Sequence, residues 1–118
     1  MTEGATRPWP LEIRLNPAKT ALVVSYDTGE RFELAAEYLR VESPSAEVQG
    51  HGGQQKKTVT GKEAVTIRAL EPVGNYALRI TFDDGHDTGL FSWDYLHELG
   101  REYRMRWAAY LKAAGRAS

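Results

Sequence analysis

From Leu96 onward, apolar side chains return at three- and four-residue steps: Leu96, Leu99, Tyr103, Trp107, Tyr110, Leu111 and Ala114. That spacing puts them on one face of a helix of roughly 22 residues. Ser92 stands where an N-cap belongs, and Asp94 falls in the first turn, where the positive helix end favours a carboxylate. One helix with one apolar stripe cannot bury that stripe by itself. The stretch just before it supplies a cover: in YALRITF (76–82), Tyr76, Leu78, Ile80 and Phe82 face one way and Ala77, Arg79 and Thr81 the other. Strand pattern followed by helix pattern predicts an α+β fold, with antiparallel sheet packed under one long C-terminal helix.

Turn signals divide the rest. LEIRL (11–15) alternates, Asn16-Pro17 turns, ALVVSY (21–26) is rich in β-branched residues, and Asp27-Thr28-Gly29 leads into RFEL (31–34). A short helix is expected over AAEYLR (35–40), ended by Pro44 because the residue before proline disfavours helical backbone. AVTIRAL (64–70), YALRITF and DTGLF (87–91), joined at Gly74-Asn75 and Asp84-Gly85, read as a second meander. The two antiparallel groups should share a sheet or pack as neighbours. Residues 1–10, with two prolines and a glycine, read as a flexible arm ahead of one domain over 11–114.

Several activities are excluded by residue type. The chain has no cysteine, so it has no disulfide, no thiolate catalysis and no sulfur-ligated zinc. No run approaches the roughly 18 apolar residues of a membrane span. The first residues lack the apolar core of a signal peptide, so a cytoplasmic location without membrane contact is expected. Net charge is −1, but residues 101–118 carry about +4 and the first hundred about −5. A basic helix end mostly reflects cations placed where the dipole favours them, and a pI near 6.3 makes nucleic acid an unlikely partner.

Two motifs fail on inspection. QGHGGQQKKT resembles a phosphate loop, yet Lys56 occupies the position before Lys57-Thr58 where glycine is required. SPSAE offers Ser43 and Ser45 without the glycines of a nucleophile elbow or a neighbouring base. The surrounding segment 43–63 is long, glycine-containing and poor in large apolar groups, as expected of a mobile or functional loop.

The cluster Asp83, Asp84, His86 and Asp87 carries the strongest chemistry. Carboxylates with an imidazole suit a hard or borderline divalent metal such as iron, manganese or zinc, and His51 in the glycine loop is the histidine that could fold over to join them. The competing reading is a tight turn at Asp84-Gly85 solvated by its neighbours. His97 is expected at the rim of the helix, and Trp93 and Tyr95 in the core.

LRVESPSAEVQGHG and EPVGNYALRITFDDGHDTGLFSWDYL together resemble the gamma-butyrobetaine hydroxylase N-terminal-like domain, over roughly residues 10–112. Its small stand-alone bacterial members have been filed as a domain of unknown function. In the larger dioxygenases the resemblance implies a structural zinc held by a C-x-C-x-x-C run and one histidine. Here Ser43, Ser45 and Val48 stand at the cysteine positions and His86 at the histidine, so three of the four ligands are missing. The catalytic oxygenase barrel with its facial triad has no counterpart either. Relatives fused to ATPases that handle iron–sulfur clusters imply an accessory role near metal delivery. The expectation is therefore a non-catalytic accessory module whose partner is another protein. The alternative is a small iron- or zinc-binding protein built on the 83–87 turn.

Overall fold

The computed structural model describes residues 8–44, 59–87 and 89–116. Strands β1 (Pro10–Leu15), β2 (Ala21–Tyr26) and β3 (Arg31–Ala35) form one antiparallel meander, followed by helix α1 (Ala36–Val41). Strands β4 (Ile67–Val73), β5 (Ala77–Phe82) and β6 (Leu90–Ser92) form a second. Helices α2 (Trp93–Arg101) and α3 (Tyr103–Ala113) complete the α+β fold.

The two sheets are separate but share one core. The middle strands, β2 and β5, are buried most deeply because both of their edges are paired. Leu22, Val24 and Tyr26 from β2 meet Leu78, Ile80 and Phe82 from β5, closed by Leu34, Tyr38, Leu39, Phe91, Leu96 and Leu99. The alternation of β5 therefore holds from Leu78 inward. Tyr76 lies in the turn before the strand begins and points out to solvent instead. A backbone bond from Ile67 N–H to the carbonyl of Lys19 (2.9 Å) ties the start of β4 to the β1–β2 turn. Asn16 holds that turn: its side-chain oxygen accepts from the amides of Thr20 (2.8 Å) and Ala21 (3.0 Å), allowing Lys19 its left-handed φ of 61°.

The C-terminal helix runs as two segments. Glu102, at φ −101° and ψ 14°, ends one and opens the other, although Glu102 N–H still reaches Glu98 O and Arg106 N–H reaches Glu102 O. Arg106 spans the joint, donating to Glu42 (3.0 Å) and Glu102 (2.8 Å) and pairing with Glu98, with its guanidinium over the Tyr95 ring. The Ser92 hydroxyl accepts from Tyr95 N–H as the expected cap.

The stripe is buried unevenly. Leu96 and Leu99 are fully enclosed, whereas Tyr103 and Trp107, expected to be largely buried, are only half so. They stack on one another at 6.0 Å and cover the edge of the buried Tyr38 ring from outside. Further along α3, Tyr110 is buried again, its hydroxyl donating to the Glu37 carboxylate at the start of α1 (2.7 Å).

Trp9 and Pro10, placed in the arm on composition, are tied to the fold. Trp9 N–H donates to the Asp27 carboxylate (3.0 Å), Asp27 N–H returns to Trp9 O (2.9 Å), and Pro10 begins β1.

Candidate functional site: the 83–87 turn and an aromatic cleft

Beyond β5 the chain reverses at Gly85, whose φ of 90° is readily reached only by glycine. Phe82 N–H bonds His86 O (3.0 Å) and Gly85 N–H bonds Phe82 O (3.0 Å), closing the turn. Two of the acidic residues expected to gather around a metal, Asp83 and Asp84, are bonded within the fold. Asp84 accepts Arg40 Nε (2.9 Å) and Lys62 Nζ (2.6 Å) on one oxygen and the His86 amide (3.0 Å) on the other. Partial burial pushes its carboxyl up, but the bonds from Lys62, His86 N–H and Arg40 outweigh that and hold it well below the usual carboxylate range. Asp83 accepts Thr66 N–H (3.1 Å), and Asp87 is exposed. His51 lies outside the described residues. Among the described residues, no group of three or more His, Asp or Glu side chains is arranged to hold a metal ion.

Ser43 and His86, assigned to former ligand positions by the resemblance, do meet: Ser43 Oγ and His86 Nε2 share a hydrogen bond at 3.0 Å. Ser45 and Val48 lie outside the described residues. A hydroxyl bonded to an imidazole is not a zinc pair, since structural zinc takes thiolates and imidazoles. The donor set does not fit the family's zinc. Nor does the pair have the surroundings of a nucleophile and base. Ser43 is fully buried, and its hydroxyl fills the space beside Gly89, where an added Cβ would lie 2.1 Å from Oγ.

His97 is more than a rim residue. Its Nε2 meets Glu30 at 2.6 Å, and its ring lies edge-on between Tyr26 (5.0 Å) and Phe32 (5.7 Å). The bond from His97, then that from Thr28, holds the Glu30 carboxyl below its ordinary range.

A second feature escaped the pattern of the sequence. Pro8, Trp9, Asn75, Tyr76, Ser92, Trp93 and Asp94 line a cleft of about 410 Å³, and Trp9, Asn75 and Trp93 also border a second, more open one of about 240 Å³ along Pro10, Leu11, Glu12 and Ile13. Trp93, expected in the core, is half-buried; its ring N–H donates to Asn75 O (3.0 Å) and its own amide to Tyr76 O (3.2 Å). Those bonds fix the indole as a wall of the cleft. Trp9 is 49% exposed, Tyr76 56% and Leu11 70%. Of the large apolar side chains most open to solvent among the described residues, these leave only Met105 elsewhere. The signal that could have found the cleft is the rigid Pro-Trp-Pro at 8–10.

Fold and site together define a small two-sheet α+β domain with a locked polar turn and an open aromatic cleft. The sequence profile of the family described as gamma-butyrobetaine hydroxylase-like, N-terminal, matches residues 13–97, and this chain belongs to that family. Two NMR solution structures are 45% identical to it, each with a TM-score of 0.78; they cover 100% and 95% of this chain and 89% and 90% of their own. A crystal structure from Acidithiobacillus ferrooxidans, of a protein with unknown function in the DUF971 family, is 41% identical with a TM-score of 0.65, covering 77% of this chain and 91% of that one. No curated protein matches this chain. No helix among the described residues is long and apolar enough to cross a membrane.

Proposed function

We propose that this domain is a non-catalytic accessory module that recognises another protein in the cytoplasm. One observation carries the reading: exposed apolar side chains are gathered on a single rim, Trp9, Leu11 and Tyr76 around the half-buried Trp93. Apolar surface concentrated in this way marks an interaction site more often than a solvated face. The polar groups that could have done chemistry support the same reading. Asp84 is bonded to two cations, and the Ser43 hydroxyl is enclosed against Gly89. The metal-ion alternative, built on His86 and Asp87 with Asp83, Asp84 or His51, has one of its optional ligands, Asp84, already bonded to Arg40 and Lys62.

The test is site-specific photo-crosslinking of the full chain in extracts of its own cells. A crosslinker at position 76 should capture a discrete partner that one at position 112, on the exposed side of α3, does not. Equal capture at both positions, or none at any surface position, would count against an interaction module.

A further inference from the structure

We infer that β1 is a self-complementary edge through which two copies of this chain pair, strand against strand, in an antiparallel register centred on Ile13. This self-association is independent of whether a different protein is recognised at the aromatic rim.

β1 is an outer strand of its sheet, paired with β2 alone. The phase of that pairing decides which backbone groups are left over. Asn16 N–H bonds Ala21 O (3.1 Å), and the register sets Leu15 against Leu22, Arg14 against Val23 and Ile13 against Val24. Bonded and non-bonded pairs alternate along antiparallel strands. Arg14 and Glu12 therefore turn their N–H and C=O toward β2, and Leu15 and Ile13 turn theirs to the outer edge. Among the described residues, no neighbouring element bonds them there.

The residues around Ile13 form a palindrome of types: Leu11-Glu12-Ile13-Arg14-Leu15, with the two charges of opposite sign. Laid antiparallel on a second copy with Ile13 facing Ile13, the outward backbone groups of the two Ile13 meet, and Leu15 comes opposite Leu11. At the positions between, Glu12 of each copy faces Arg14 of the other, the close side-chain pairing of an antiparallel ladder. A slip of two residues would set Glu12 against Glu12 or Arg14 against Arg14, and a slip of one would oppose outward backbone groups to inward ones. Glu12 already has Arg14 of its own strand at 3.4 Å, both half-exposed, so unneutralised charge is not what selects a second copy. The order of the residues selects it, because only the centred register makes all four charges alternate. The same pairing covers Leu11, which is otherwise 70% exposed.

The other outer strands lack this property. β3 would oppose Glu33 to itself, β4 carries Pro72, and β6 is only three residues long. Pro10 and the bulge between Pro10 and Glu12 stop the β1 pairing at Leu11. A two-fold pair uses up the β1 edge of both copies, so the assembly closes as a dimer.

Sedimentation of the full chain from about 10 μM to about 1 mM should show monomer passing into dimer. Glu12→Arg and Arg14→Glu each set two like-charge pairs across the seam and should weaken the dimer roughly tenfold. An equimolar mixture of the two variants faces opposite charges again and should recover it. Both positions are exposed, and circular dichroism checks that each variant is folded. The register is read separately. The chain has no cysteine, so Glu12→Cys and Arg14→Cys each carry one thiol. Mixed in a glutathione redox buffer, they should form the mixed disulfide in preference to either like pair, since only the facing positions lie within disulfide reach. A wild-type chain that stays monomeric to about 1 mM overturns the assignment. So does a dimer indifferent to both charge reversals, or like pairs that crosslink as readily as the mixed one.

Discussion

The hydroxyl of Ser43 and the imidazole of His86, 43 residues apart in sequence, share a hydrogen bond at 3.0 Å that joins the end of α1 to the turn after β5. Gly89 lies against the same hydroxyl, with no room for a side chain. Gly89→Ala should therefore destabilise the fold by about 1–3 kcal/mol through overpacking. Combining it with Ser43→Ala removes the atom it strikes and should recover part of that loss, giving a coupling energy measurable by denaturant unfolding of the four proteins. Strictly additive effects would contradict the contact.

Asp84 should make stability pH-dependent at the acid end. Its carboxyl titrates lower in the folded chain than the ordinary 3.8 of an unfolded one. The stabilisation is thus fully present above about pH 4 and is lost as pH falls toward the depressed folded value, because the unfolded chain takes up the proton first. Asp84→Asn should cost roughly 1.5–3 kcal/mol at neutral pH and show a shallower decline below pH 4. Urea melts of both proteins between pH 3 and 7 would check it; parallel curves would mean that Asp84 is not the group responsible.

Half-burial of Trp107 sets an order between two truncations. Phe91→Ala empties a fully enclosed site and should cost about 3–5 kcal/mol. Trp107→Ala trims a side chain at the margin and should cost less, on the order of 2 kcal/mol. Thermal melts of the two variants rank them, and a reversed order would move α3 onto the core.

Calorimetry with iron(II), manganese(II) and zinc should show no tight site at the 83–87 turn, because Asp84 is held by Arg40 and Lys62 and His86 has Ser43 rather than thiolates beside it. Binding that disappears in His86→Ala and weakens as pH falls through the imidazole range would restore the metal-ion reading, since a protonated histidine cannot ligate.

Much of the fold was legible in local pattern. The hairpin at Asp27–Gly29, the alternation from Leu78 to Phe82, the turn at Gly85 and the cap at Ser92 each follow from the conformational preferences of a few adjacent residues, and each is where the sequence puts it. Tyr76 shows the limit of that reasoning. It continues the strand's period, yet it sits in the Gly74–Tyr76 turn, one residue before pairing with β6 begins at Ala77, so its side chain escapes the inward face.

The sequence by itself determined the class of fold, the succession of its strands and helices, and the absence of thiolate chemistry, because these depend on periodicity and residue type. Only the tertiary structure decided what the conspicuous polar residues do. Arg40 and Lys62 reach Asp84 across 44 and 22 residues of chain, and no local pattern announces such partners. The aromatic cleft is likewise a product of assembly. Trp9, Tyr76 and Trp93 converge only once Asp27 holds the N-terminal strand and the indole of Trp93 bonds the Asn75 carbonyl. Burial, pairing and surface shape are set by which distant segments meet, and it is the packing of the two sheets that brings them together.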